Sequence, residues 1–153
     1  MNFSEITETL YIGTTPGPED YPALVELGIR LIINMRIERP PFTDPYKTPL
    51  KFLWLPTLDS PLFPIPIRLL QQGVNSALAA ITNGKKVLAH CAGGVHRGVA
   101  MGACILIAQG YTPSRAMQLI KEKREHADPE AWYIRRRIEH FAETWRQFKF
   151  EGF

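Results

Sequence analysis

The stretch Lys86-Val87-Leu88-Ala89-His90-Cys91-Ala92-Gly93-Gly94-Val95-His96-Arg97-Gly98, followed by the apolar run Val99 to Ala108, decides the fold. The residues before His90 read as a strand and those after Gly98 as a helix, both apolar. A cysteine at a strand end, a short Gly-bearing loop and an arginine opening a helix make a site suited to a phosphate. The loop's backbone N–H groups can turn inward, and the helix N-terminus adds its partial positive charge. Arg97 supplies a planar fork that holds two oxygens at once. The same field favours the thiolate of Cys91, which makes it a candidate nucleophile.

A cysteine with an arginine six positions on arises by chance about one time in seven in a chain of this composition. Requiring His before the cysteine and Gly three after it lowers that to roughly a few in ten thousand. The plainer alternative is a structural cysteine with Gly93 and Gly94 in an ordinary turn; the strand-before, helix-after context argues against it.

His-Cys-x2-Gly-x2-Arg resembles the signature loop of the cysteine-based protein tyrosine phosphatases, and the short chain resembles their dual-specificity branch. Leu10-Tyr11-Ile12-Gly13, a helix ending at Leu27-Gly28-Ile29 and the strand Leu31-Ile32-Ile33-Asn34 are similar to that family's opening. The resemblance spans roughly residues 8–142. It implies that Cys91 is the nucleophile and that Ala92, Gly93, Gly94, Val95, His96 and Arg97 form the phosphate-binding loop. It further implies a general acid at Asp59, 32 residues before Cys91 in Leu58-Asp59-Ser60-Pro61. From the residues alone, Asp59 equally suits an Asx turn before Ser60-Pro61. One position departs: the family usually carries Ser or Thr after the arginine, and here it is Gly98. That hydroxyl is thought to stabilise the departing thiolate, so Gly98 puts the second chemical step in doubt. A catalytically weak pseudophosphatase that binds phosphorylated ligands is therefore the competing reading, with rhodanese-like sulfur transfer ranked last.

The chain has 153 residues, 45% of them hydrophobic, which suits one domain over 1–153 with a substantial core. A net charge of +3 is too small to argue for nucleic acid. Arg135-Arg136-Arg137 reads as a solvated helix face in preference to a docking patch. Two cysteines make no disulfide framework. Cys104, on the same helix as Arg97, lies ~10 Å or more along the axis from the loop and reads as core. A working thiol without a partner suits a reducing cytoplasm. The N-terminus lacks a signal-peptide pattern, and Val99 to Ala108 is too short to span a bilayer. No metal and no cofactor is expected.

Strand and helix signals alternate, giving an α/β fold. The resemblance makes this a central, mostly parallel sheet of 4–5 strands flanked by 5–6 helices. Strands are expected at Leu10 to Gly13, Arg30 to Met35, Lys51 to Pro56 (with Trp54 inward or at the sheet edge) and before Cys91. Helices are expected at about 19–27, 67–83, 98–109 and 113–124. A last helix should begin at Asp128-Pro129, an N-cap with proline at N1, and run to about Phe148. Residues 36–50, rich in proline and aperiodic, read as a surface loop.

His90 is expected to order the loop through hydrogen bonds while pointing away from Cys91. His96 faces outward, toward substrate or solvent; Trp132 and Tyr133 could flank the pocket, but packing beneath the sheet is the favoured expectation. The loop interior has no lysine, which favours phosphoprotein substrates, phosphotyrosine first.

Overall fold

The computed structural model describes residues 1–150. Five strands form one sheet: β1 (Phe3–Glu5), β2 (Leu10–Gly13), β3 (Ile29–Arg36), β4 (Lys51–Thr57) and β5 (Lys86–His90). Their spatial order is β1-β2-β5-β3-β4. All neighbours are parallel except β1, which runs antiparallel to β2 with Phe3 opposite Gly13. The sequence reading missed β1. Its three residues, Phe-Ser-Glu, carry no alternation, and pairing with β2 alone makes them a strand.

A parallel strand covered on both faces must be apolar along its length. Val87, Leu88 and Ala89 of β5 and Leu31, Ile32 and Ile33 of β3 are all buried. Four helices cover one face: α2 (Ile67–Thr82), α3 (Arg97–Ala108), α4 (Pro113–Lys123) and α5 (Trp132–Phe150). α3 is buried in every residue except Ala108, as a helix apolar all round must be. The other face is covered by α1 (Tyr21–Glu26), through Tyr21 and Leu24, and by residues 36–50. That segment is therefore more than a surface loop: Leu50 is buried and Phe42 packs against the second core.

The last helix starts at Trp132, not at Asp128. Asp128 does not cap it; its amide donates to the Val95 carbonyl at 3.0 Å and so joins this turn to the phosphate loop. Trp54 lies at the sheet edge, with its indole N–H on the Arg36 carbonyl at 2.7 Å.

In an open parallel sheet the loops leaving the carboxyl ends of the strands gather on one edge. Here β2 delivers Thr15 to that edge, β3 delivers Glu38, β4 delivers Asp59, and β5 delivers residues 91–97.

Candidate active site

The loop from Cys91 to His96 is fastened from outside by its carbonyls. Thr15 Oγ1 donates to Cys91 O at 3.1 Å. Arg124 donates from Nε to Gly94 O at 2.8 Å and from Nη2 to Gly93 O at 3.2 Å. The Asp128 amide holds Val95 O at 3.0 Å, and the Ala100 amide holds His96 O at 2.8 Å. In a trans peptide the C=O of one residue and the N–H of the next point in opposite directions. With these five carbonyls turned outward, the amides of Ala92, Gly94, Val95, His96 and Arg97 turn inward. This arrangement is an anion cradle. Gly94 sits at φ +64°, and a Cβ there would stand 2.6 Å from Arg124 Nη2 and 2.9 Å from the Gly13 carbonyl. Only glycine fits that corner.

Cys91 is buried and free, and so is Cys104, whose thiol burial pushes well up. His90 is buried with Nδ1 3.4 Å from Cys91 O. Burial above all lowers its pKa to about 4, so its ring stays neutral.

Arg97, at the first turn of α3, is only 4% exposed. A cation there opposes the helix dipole. Glu38 compensates: its two carboxylate oxygens accept from Nη1 and Nη2, each at 2.9 Å. Nη1 also donates to Thr57 O at 2.8 Å and Met35 O at 3.3 Å. These bonds consume the terminal edge of the guanidinium. The side edge is different, since Nε is buried and has no hydrogen-bond partner among the described residues. A guanidinium can bind one carboxylate end-on and still offer Nε and the second Nη2 proton to another oxyanion. The bond to Arg97 outweighs burial and lowers the Glu38 carboxyl to about 2.

Asp59 is anchored through both oxygens. Tyr133 Oη donates to Oδ1 at 2.7 Å, and His96 Nδ1 lies 3.1 Å from Oδ2. Burial raises the pKa of this carboxyl, but the Tyr133 and His96 bonds prevail and leave it below the usual range.

A family model described as dual specificity phosphatase, catalytic domain, matches residues 10–143. The chain belongs to the dual-specificity phosphatases. Mouse dual specificity phosphatase 28 is 27% identical over 128 residues, 83% of this chain and 76% of the relative. Its human counterpart DUSP28, as a crystal structure, superposes with a TM-score of 0.83 at 20% identity, covering 94% of this chain and 98% of that one. The crystal structure of PTPMT1 gives 0.86 at 22% identity, covering 99% and 100%. These structural likenesses are of fold.

In this dual-specificity phosphatase the sheet edge brings together Cys91, Arg97, Asp59, His90 and the loop residues singled out in the sequence. Tyr133 is partly buried against the main core, as expected, but its hydroxyl also reaches Asp59 and its ring packs on His96; Trp132 beside it is a correction, being 60% exposed. The His96 ring is partly exposed, and Asp59, Tyr133 and Asp128 lie within hydrogen-bond distance of it. Glu38, Arg124 and Thr15 were missed. A buried cation opening a helix demands an anion, which is the one signal that could have found Glu38. Gly98 is packed tightly: an added Cβ would meet His90 C and Cα at 3.2 Å and Cys91 N at 3.3 Å. Among the described residues no group of three His, Cys, Asp or Glu is placed to hold a metal ion, and no helix is long and apolar enough to cross a membrane.

Proposed function

We propose that this phosphatase hydrolyses phosphomonoesters through a phosphocysteine intermediate, without a metal ion. The observation that carries the proposal is the cradle: five amides turned inward around Cys91, with the unpaired Nε edge of Arg97 beside them. Cys91 Sγ attacks phosphorus in line. The S–P bond forms as the P–O bond to the leaving group breaks, and Asp59 gives its proton to the departing oxygen. Water then attacks phosphorus, Asp59 takes a proton from it, and the S–P bond breaks to release orthophosphate and the Cys91 thiolate. The amides and Arg97 neutralise the equatorial oxygens through both steps. Neutral His90, seated behind the loop, fixes the Cys91 carbonyl.

The loop interior carries no lysine, so a highly charged head group gains no extra cation there. This supports a phosphotyrosine protein or peptide as the preferred substrate. The thiol nucleophile, free of any disulfide, suits a reducing, cytoplasmic setting. Gly98 favours a second reading, a phosphate-binding pseudophosphatase whose phosphocysteine does not turn over.

Hydrolysis of p-nitrophenyl phosphate with EDTA and a reductant separates the two. Steady turnover that survives EDTA and disappears in Cys91→Ser is the expected result. A single burst with phosphocysteine trapped on the protein selects the pseudophosphatase, and full activity in Cys91→Ser refutes both readings.

A further inference from the structure

The acid loop after β4 projects from the protein: Leu62 is 81% exposed and Phe63 59%. Its hydrogen bonds near the tip are internal, from Leu62 N to Ser60 Oγ at 3.1 Å and from Phe63 N to Ser60 O at 3.2 Å. Such a loop does not by itself fix where the Asp59 carboxyl stands. We infer that Tyr133 and His96 are positioning residues that anchor this carboxyl to the phosphate loop, so that the acid is in place before substrate binds. The inference rests on the assignment of Asp59 as general acid in the proposed function.

Each oxygen of Asp59 has its own anchor. The Tyr133 hydroxyl has one proton and gives it to Oδ1 at 2.7 Å. Burial, followed by the Asp59 carboxylate, pushes this phenol up to about 12, so it remains a donor across the working pH range. His96 Nδ1 faces Oδ2 at 3.1 Å, and the Tyr133 oxygen lies 3.2 Å from the same nitrogen. The two rings pack against each other with centroids 5.5 Å apart. On its far side, His96 Nε2 lies 3.4 Å from Asp128 Oδ2, while the Asp128 amide grips Val95. The acid is thus joined by a continuous chain of contacts to the loop that holds the phosphate. His96 directly precedes Arg97, so one anchor of the acid is adjacent in the chain to the phosphate-binding guanidinium.

This arrangement has a chemical consequence beyond geometry. Tyr133 from α5, His96 from the phosphate loop and Arg97 from α3 all favour the ionised carboxylate, whereas Asp128 faces His96 and Tyr133 as a like charge to Asp59. The anchors therefore make Asp59 a readier proton donor and bring its loss of the proton to lower pH.

The test compares Tyr133→Phe, His96→Asn and Asp59→Asn on phenyl phosphate, a poor leaving group, and on p-nitrophenyl phosphate, a better one. General acids contribute roughly 10²- to 10⁴-fold, so losing one anchor should lower kcat on phenyl phosphate by about 10-fold or more, with a smaller loss on p-nitrophenyl phosphate. In Tyr133→Phe the alkaline limb of kcat/KM should move to higher pH, and Asp59→Asn should remove that limb. An unmoved limb and unchanged leaving-group dependence in Tyr133→Phe would overturn the inference while leaving Asp59 as the acid. A lower melting temperature with an unmoved limb would also overturn it, by making Tyr133 only structural. If Asp59→Asn keeps the limb and the rate, the acid assignment itself fails and the inference falls with it.

Discussion

Two arginines are buried on the phosphate loop, each 4% exposed, and they solve the problem of a buried cation in opposite ways. Arg97 sits at the mouth of α3 and is matched by a carboxylate, Glu38, at the terminal edge of its guanidinium. Burial alone would favour losing its proton, but the Glu38 bonds and the nearby charges of Cys91 and Asp59 hold it more firmly charged than a free arginine. Arg124, at the end of α4, faces only neutral oxygens: the Gly93 and Gly94 carbonyls, Asn2 Oδ1 at 2.8 Å and Ser4 Oγ at 3.1 Å. Burial lowers its proton affinity with little to oppose it. Arg97 keeps Nε unpaired, whereas Arg124 uses all three nitrogens on the protein. The first is arranged to receive an anion. The second is a strut that ties β1 to the back of the cradle and turns its carbonyls outward.

The comparison breaks most directly at Arg97. Arg97→Lys keeps a positive charge but loses the fork, so one ammonium must replace both the Glu38 clamp and the side edge. Loss of one preorganised donor costs about 10²–10³ in kcat, and kcat/KM for p-nitrophenyl phosphate should fall at least that far. Steady-state kinetics check it. A Lys variant within a few-fold of wild type would show that Arg97 acts as a simple charge.

Arg124→Met should separate stability from chemistry. It leaves the buried Gly94 carbonyl unsatisfied, at about 1–3 kcal/mol, whereas the exposed Gly93 carbonyl can turn to water. For a chain of this size each kcal/mol is about 2–4 °C, so the melting temperature should fall by roughly 2–12 °C. Activity of the protein still folded should fall by about 10-fold, because the loop amides lose their fixed direction. Calorimetry and kinetics on the same preparation distinguish the roles. A loss as large as that of Arg97→Lys, with an unchanged melting temperature, would make Arg124 a ligand-binding group and erase the contrast between the two.

The same contrast explains what the sequence discloses. The β5–loop–α3 unit is local: strand signal, glycines, arginine and helix signal follow within residues 86–108, so the cradle and its nucleophile are legible without any distant contact. Arg97 could be read as a phosphate ligand for that reason. Its clamp could not, because Glu38 is 59 positions away and sits in a proline-rich segment whose composition suggests only a loop. Arg124 reaches Gly94 across 30 positions and Asn2 across 122, from a stretch that looks like an ordinary charged helix end. Tyr133 meets Asp59 across 74 positions, and an aromatic on the apolar face of an amphipathic helix reads as core, which gives no hint of what its hydroxyl reaches. Asp59 itself was reachable only by family spacing. The sheet turns the Glu38 and Asp59 separations into contacts by sending the exit loops of its parallel strands, β2 to β5, to one edge.

Gly98 offers the finest test of how closely that edge is packed. The family's usual hydroxyl at this position suggests that Gly98→Ser would hasten release of the phosphocysteine. The structure adds an opposing effect, since any Cβ at residue 98 must stand 3.2 Å from His90 and 3.3 Å from the Cys91 amide unless the backbone gives by a few tenths of an ångström. Those atoms belong to the end of β5 and the start of the cradle, where movement misdirects the nucleophile. Gly98→Ala carries the crowding without the hydroxyl, so the hydroxyl is measured by Ser against Ala and the crowding by Ala against Gly. We expect Ala to slow turnover by a few-fold and Ser to recover part of that loss in the dephosphorylation step, read from burst and steady-state phases. Equal rates in Ser and Ala would mean that thiolate release needs no hydroxyl here and that packing alone accounts for the glycine. A Ser variant faster than wild type would mean instead that the cradle yields readily, and that this end of the site is less rigid than the Arg124 strut implies.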